Sequence, residues 1–523
     1  MNKAQDNALG RFWNKLQEYY TQSLCCLILQ SIAECWRESW IYHTACQLLG
    51  AAPAKDRSQI KQRLCRVNRR LESYAGKISA AVDGSLFCRL ARRLLQLFRQ
   101  SYLLGWLFAD GISGLLLFAV GGYVLWDWLL RDVFTIPVFS SLWDEMLLLI
   151  SFAWLLYQRM AGKNRLDVND TPMDMPVLFF LAVSLILLFM QFNAPAINIA
   201  GLRASTQYIL WFFVVTRLIR TDKNCMKLYG FMVLIASAVA LYGVYQYIIG
   251  APMPAGWTDQ AEASVRTRVY AIFSSCNIMG DYMVLFAPMA AGVAYAAKNR
   301  WLQLFAWGCT GVMCLSCLLT MSRGAWIALI VAILVFALLV DLRLLVLMGF
   351  AGAAALCLPF VQSRIGYMFT DAYERSANRG GRSVRWKQAI EYLFAYDPAL
   401  GMGHGRFGGA IAMQNPVSPN REYFYTDNYY VKVLSETGFF GLFGYLVMQL
   451  CLLWTGLKAW FCNVQKCSRM SPLCAGMLSG MLGVLVHCIF ENIFEEPYMM
   501  ATFWTVAAMT MYLGFLRPET EDK

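Results

Sequence analysis

Residues 302–360 read LQLFAWGCTGVMCLSCLLTMSRGAWIALIVAILVFALLVDLRLLVLMGFAGAAALCLPF. Three apolar runs, 302–320, 325–340 and 344–360, are divided only by Met321-Ser322-Arg323-Gly324 and by Asp341-Leu342-Arg343. Apolar runs of about 17 to 25 residues are what a helix needs to cross the hydrocarbon core of a bilayer, where each backbone N–H and C=O must be satisfied within the segment. The alternation is that of a polytopic helical membrane protein.

The same pattern extends in both directions. Further apolar runs lie near 106–130, 138–158, 174–191, 204–219, 226–249, 277–297, 437–459, 473–490 and 499–516, so the reading gives about twelve transmembrane helices. Residues 1–20 are polar and lack the pattern of a cleavable signal peptide, which leaves the N-terminus in the cytoplasm. The connectors that then face inward, 158–165, 217–227, 298–300, 341–343 and 458–469, all carry Lys or Arg, as the positive-inside rule requires. Outward connectors are 131–137, 192–203, 250–276, 321–324, 361–436 and 491–498, and the C-terminus falls on the cytoplasmic side. One large extracytoplasmic loop, 361–436, carries short helices. No repeat of 20 to 50 residues is visible.

Composition agrees. Of 523 residues, 58% are hydrophobic and 15% charged, with a mean hydropathy of +0.46, which excludes most soluble classes. The net charge of +12 is concentrated: residues 1–104 hold sixteen basic and seven acidic side chains. This stretch reads as a cytoplasmic region of amphipathic helices, either resting on anionic lipid, docking a partner, or presenting a solvated face beside the first span. The expected domains are thus 1–104 and a transmembrane domain over 105–523. None of the 17 cysteines lies in 361–430, and Cys314 and Cys317 form a CxxC inside an apolar run, where packing explains them better than redox or metal chemistry. No metal site and no cofactor are assigned.

Candidate chemistry gathers on the outward side. Arg266 and Arg268 stand at the mouth of a helix that begins near Asn277, where two fixed cations either clamp an anion or meet lipid headgroups. Arg323, set between two spans, faces a polar cavity or snorkels to the interface. Residues 361–430 of the large loop carry eight basic and six acidic residues, too even a balance for a nucleic-acid surface. After Gly380-Gly381, helical spacing puts Arg382, Arg385, Trp386 and Ala389 on one stripe, suited to holding a phosphate.

Asp397-Pro398-Ala399-Leu400-Gly401-Met402-Gly403-His404-Gly405-Arg406-Phe407-Gly408 reads as a helix stop and a glycine-rich turn. It lacks the preceding strand of a dinucleotide site and the Lys-Ser/Thr of a P-loop. His404 is a general base or a hydrogen-bonded turn residue. The chain re-enters the membrane at Asp427-Asn428, followed by Glu436-Thr437-Gly438. Asp427 suits a proton acceptor at the hydrocarbon boundary and equally a helix cap.

Taken in order, these pieces resemble the O-antigen ligase and O-antigen polymerase superfamily of bacterial membrane glycosyltransferases. The resemblance runs from about Arg268 to Gly441: Arg268 with Phe273 and Asn277, Ser322 to Gly324, Arg382 and Arg385 with Trp386, the glycine-rich turn, then Asp427-Asn428 and Glu436 to Gly438. It implies a metal-independent inverting glycosyl transfer from undecaprenyl-pyrophosphate-linked oligosaccharide at the outer face of the bacterial plasma (inner) membrane. The acceptor is a glycan, a lipid A core or a protein hydroxyl, and membrane lipids and other polysaccharide assembly proteins are the expected partners, with no nucleic acid.

By the same resemblance Arg268 and Arg385, with Arg382, Arg323 and Arg266 nearby, hold the pyrophosphate, and Asn277, Trp386, Asn428 and Glu436 support them. Ligases of the family use a histidine near the re-entry of the loop, and this chain has Asp427 there, which leaves Asp427 or His404 as the base and tilts the reading toward a polymerase. A protein O-oligosaccharyltransferase shares the donor. A transporter or flippase of lipid-linked glycan is the non-enzymatic alternative, in which charges would line a path through the spans.

Overall fold

The computed structural model describes residues 111–135, 137–160, 171–253, 267–378, 380–415 and 425–517, together with Lys77, Arg93, Gln96 and Gln100. The expected N-terminal helical region, Arg266 and the stretch 416–424 lie outside the described residues. By contacts the chain divides into two units, residues 1–94 with 156–168 and residues 95–155 with 169–523; the second carries nearly everything described.

All regular structure among the described residues is helical, with no strand. In chain order the helices are α1 Gly111–Gly121, α2 Tyr123–Trp128, α3 Pro137–Met160, α4 Asp174–Met190, α5 Pro195–Thr206, α6 Leu210–Leu218, α7 Asp222–Ile249, α8 Cys276–Ala296, α9 Arg300–Leu319 and α10 Arg323–Val340. They continue with α11 Arg343–Leu356, α12 Pro359–Gly366, α13 Asp371–Asn378, α14 Arg382–Tyr396, α15 Ala410–Gln414, α16 Tyr429–Gln465, α17 Ser471–His487 and α18 Pro497–Met511. Side chains set several starts: Thr221, Ser275, Asn299, Ser322 and Asn428 each accept a backbone N–H of the first turn that the helix itself cannot satisfy.

Among the described residues, six helices are long and apolar enough to cross a membrane: α7, α8, α9, α10, α16, and α18 extended to Leu516. The number rises to eight if each bent pair is one span, α1 with Tyr123–Val133 at 69° and α11 with Pro359–Phe369 at 82°. The protein is therefore a multi-pass membrane protein. Shorter apolar helices, α4 and α17, fall on two more of the expected runs. The run expected at 204–219 is not one rod: α5 gives way to a 3-10 turn at Gln207–Ile209 before α6 begins. Local apolarity does not reveal such a break, because it depends on which neighbours receive the freed backbone groups.

The core lies around α8, which is buried along nearly its whole length. α17 runs antiparallel against it with almost no side-chain spacer. A Cβ at Gly476 would meet the Pro288 carbonyl oxygen at 2.5 Å, and one at Gly480 would press on the carbonyl of Leu285. Within lipid, helices gain little from burying apolar surface against each other, so small residues that admit close backbone contact carry the association. In the interior Arg217 pairs with Asp174 at 2.7 Å, and His487 Nδ1 lies 3.0 Å from Asp281 Oδ1. Cys317 is free and buried beside the carbonyls of Gly280 and Ala325, so the CxxC packs helices together.

Gly438 interrupts α16 with φ 64° and ψ −167°. This break exposes backbone groups of one helix, and the glycine-rich turn takes them up. Met402 N donates to Ser435 O at 2.9 Å and Gly403 N to Glu436 O at 2.9 Å, while Phe439 N donates to Pro398 O at 3.0 Å and Phe440 N to Ala399 O at 3.3 Å. Each segment thus satisfies donors and acceptors that the other's irregularity creates.

Replacing Gly480 by leucine is expected to force α8 and α17 apart at a cost of about 1–3 kcal/mol. The check is thermal unfolding of the detergent-solubilised protein, with Gly230→Leu as control, since a Cβ there meets nothing within 4 Å.

Candidate active site

Arg268 sits in extended chain just before α8. Its neighbours are tied down, Thr267 Oγ1 donating to Ala251 O at 2.7 Å and Val269 N to Leu319 O at 3.2 Å. The guanidinium, on a residue only 7% exposed, donates from Nε to Thr320 O at 3.1 Å and from Nη2 to Asn277 Oδ1 at 3.4 Å. Asn277 in turn donates through Nδ2 to the carboxylate of Glu491, in the connector after α17. The closely packed pair α8 and α17 therefore ends in an arginine, an amide and a buried carboxylate.

A second group comes from α14. Arg385 donates from Nη1 to Asp427 Oδ2 at 2.7 Å and to Tyr425 O at 3.1 Å, and from Nε to Gly380 O at 2.9 Å. Arg382 Nε lies 3.6 Å from the same Asp427 oxygen, and Trp386 Nε1 donates to Thr426 O at 2.7 Å. The expected stripe on this helix is present, and it clamps residues 425–427.

Asp427 is a non-glycine residue at φ 49°, a sparsely populated conformation that surrounding contacts must hold. Asn492 supplies much of that hold. Its Oδ1 accepts Asn428 N at 3.1 Å and Thr426 Oγ1 at 3.3 Å, and its Nδ2 donates to Gly408 O at 2.8 Å. Asn428 caps α16 by accepting Val431 N at 3.0 Å.

Arg323, first in α10, places its guanidinium 5.3 Å from the Tyr373 ring centroid, and the charges of Arg382 and Arg268 bear on it. Its Nη1 is buried with no hydrogen-bond partner among the described residues. Arg364, also buried and within the field of Arg382, donates to Met321 O at 3.1 Å. The arginines from α8's approach, α10, α12 and α14 thus bear on one another around two carboxylates. Burial pushes the Asp427 carboxyl above its ordinary range against the pull of Arg385 and Arg382. Burial, then the charge of Asp427, does the same to Glu491. Two interacting carboxyl groups of this kind titrate as a pair.

His404 stands apart from this cluster. It is buried in the glycine-rich turn, its Nε2 donating to Ser184 O at 3.0 Å while its carbonyl accepts Asn198 Nδ2 at 3.0 Å. Burial drives its imidazole down to about 4, so it is neutral at ordinary pH. Glu436 lies in the first segment of α16, paired with Lys432 at 3.1 Å, and Lys432 also approaches Glu495 at 3.5 Å. Of the residues singled out in the sequence, Arg268, Asn277, Arg323, Arg382, Arg385, Trp386, Asp427 and Asn428 come together. His404 and Glu436 belong to the turn and the helix break beside them.

Glu491, Asn492 and Arg364 were not legible as site residues. The one available signal was the run Glu491-Asn492-Ile493-Phe494-Glu495-Glu496, acidic and placed between two apolar spans, a position where charge calls for a partner.

Arginines from four segments, Arg268 and Arg364 buried, Arg323 and Arg385 half-buried and Arg382 exposed, thus gather beside two carboxylates. Residues 309–446 match the family model described as O-Antigen ligase, so this stretch is an O-antigen ligase domain, of the kind found in membrane glycosyltransferases. It contains Arg323, Arg364, Arg382, Arg385 and Asp427, while Arg268, Asn277 and Glu491 lie outside the matched residues. No curated protein matches the chain.

Asn492→Ala removes partners from Gly408, Thr426 and Asn428 together, and a buried group left unsatisfied costs about 1–3 kcal/mol. A lowered melting temperature and faster proteolytic cleavage within 425–428 are expected, compared with an Asn415→Ala control.

Proposed function

We propose that the protein is a membrane glycosyltransferase that transfers or polymerises undecaprenyl-pyrophosphate-linked glycan at the outer face of the bacterial plasma membrane. The observation that carries the reading is the pairing of Asp427 with Arg385 and Arg382 beside the buried Arg268 and Arg364, with the Arg382 to Asp427 pair inside an O-antigen ligase domain. In this reading about twelve segments span the membrane, both termini are cytoplasmic, and the arginines face outward.

The pyrophosphate of the donor binds among Arg268, Arg323, Arg382 and Arg385. Fixed guanidinium groups suit it because each presents several donors in a rigid plane and remains charged. The unpartnered Nη1 of Arg323 is one vacancy in hydrogen bonding that a phosphate oxygen would fill. When the pyrophosphate draws on Arg385 and Arg382, Asp427 loses part of its ion pairing and becomes a stronger base. An acceptor hydroxyl gives its proton to Asp427 while its oxygen forms the new bond to the anomeric carbon. The bond from that carbon to the pyrophosphate oxygen breaks on the opposite face, so the configuration inverts. The arginines stabilise the charge that collects on the leaving pyrophosphate.

Burial raises the proton affinity of both Asp427 and Glu491, and the charge of Asp427 adds to it at Glu491. No metal takes part. His404, held by Ser184, is the less suited base. An aspartate in place of the ligase histidine favours polymerisation, with another lipid-linked repeat as acceptor.

Complementation of a chromosomal deletion tests this. A polymerase deletion leaves single capped repeats on a surface-glycan gel, whereas a ligase deletion accumulates undecaprenyl-linked polymer. Arg385→Ala and Arg268→Ala are each expected to lower transfer by about 10² to 10³, and Asp427→Asn by about 10² to 10⁴, at normal protein levels. Full activity in Arg268→Ala and Arg385→Ala would overturn the mechanism.

The pH dependence has a definite sign. Asp427 must be ionised to accept a proton, and its raised proton affinity keeps the acid form present to higher pH, so activity falls on acidification above the ordinary aspartate value of about 4. Glu491→Gln removes a neighbouring negative charge and is expected to move that acid limb to lower pH.

A further inference from the structure

Beside the arginine cluster lies a separate cavity of about 440 Å³, within the range of about 300–1,000 Å³ for small-molecule sites. Its walls come from the bent segment after α1, from 270–274, and from 496–498. Two of these walls continue directly into the arginine site: the segment 267–277 bears Arg268 and Asn277 and also Tyr270 and Ser274, and the connector after α17 bears Glu491 and also Glu496.

The lining has a different chemistry from the arginine site. Carboxylates of Asp127, Asp132 and Glu496 face it against a single cation, Arg131, which is already paired with Asp127 at 2.7 Å. Glu496 accepts Ser274 Oγ at 3.1 Å and feels the charge of Asp127 across the cavity. Trp128 and Tyr270 add aromatic surface, and Phe273 and Tyr498 pack together behind it with ring centroids 5.2 Å apart.

An acidic lining repels a pyrophosphate. It suits a ligand rich in hydroxyl donors with apolar C–H faces, since carboxylates accept hydroxyl hydrogens strongly and aromatic rings cover the faces between them. We propose that this cavity is a glycan-binding cleft, which holds uncharged sugar residues while the adjoining arginines hold the pyrophosphate. The source of the glycan rests on the glycosyl-transfer reading above: it is either the sugars of the donor next to the pyrophosphate or the end of the acceptor that is extended. The charge of the two compartments then sorts the parts of one substrate complex, sugar to the acidic side and phosphate to the basic side.

The test uses full-length protein in detergent and two probes without lipid or phosphate. One is the donor oligosaccharide released from its carrier by mild acid, and the other is the delipidated surface glycan of the same cells. Binding is measured by calorimetry and by saturation-transfer NMR. Wild-type protein is expected to bind at least one probe, Trp128→Ala and Glu496→Gln to weaken it at least about tenfold, and inorganic pyrophosphate to leave it unchanged. Asp132→Asn, at an exposed position that the fold does not need, is expected to weaken it severalfold. Loss of donor-oligosaccharide binding assigns the cleft to the donor, and loss of surface-glycan binding assigns it to the acceptor. Binding of neither probe, equal binding by all three variants, or displacement by pyrophosphate overturns the proposal. Transfer by Arg385→Ala in the same preparation is read separately: if transfer persists, the reaction mechanism fails while a measured glycan affinity still stands.

Discussion

The close approach of α8 and α17 is the constraint on which the rest depends. Gly476 and Gly480 let one backbone lie on the carbonyls of the other, and a side chain at either position would part them. With the two helices fixed, the start of α8 and the end of α17 bring Asn277 to Glu491, although 214 residues separate them in sequence. Asn277 then receives Arg268, and the next residue along from Glu491, Asn492, ties down the segment that holds Asp427 in its left-handed conformation. The geometry at the mouth of the bundle is thus set by contact inside it.

A second irregularity, the break at Gly438, places the large loop. A continuous helix would keep the carbonyls of Ser435 and Glu436 for itself. The break offers them to Met402 and Gly403, and the loop is pinned at its glycine-rich turn. His404 is thereby buried and neutral, turned toward α4, while α14 is left to cover residues 425–427 with Arg382, Arg385 and Trp386. The placing of the arginines and a strained carboxylate follow from the way backbone groups are satisfied.

Much of this was readable from residues alone, for physical reasons. Long apolar runs identify membrane helices because the bilayer demands internal backbone satisfaction, and helical spacing put Arg382, Arg385 and Trp386 on one face. A cap was open to Asp427, and the next residue, Asn428, makes it. What stayed hidden was tertiary. The bends after Gly121 and Leu356 and the 3-10 turn in the run 204–219 depend on neighbours. Glu491 gains meaning only through Asn277 and Asp427, and the burial of His404 only through Ser184. The cavity lined by Asp132, Tyr270 and Glu496 joins three connectors that no local pattern links, although all three are expected on the same side.

The central claim is that a pyrophosphate lies among the arginines and competes with Asp427 for them. A cryo-EM structure of the full-length protein in a nanodisc with undecaprenyl pyrophosphate tests it most directly. The account predicts phosphate density within hydrogen-bond reach of Arg268, Arg323 and Arg385, with the Arg385 to Asp427 contact lengthened. Phosphate density elsewhere on the protein, with that ion pair unchanged, would contradict it.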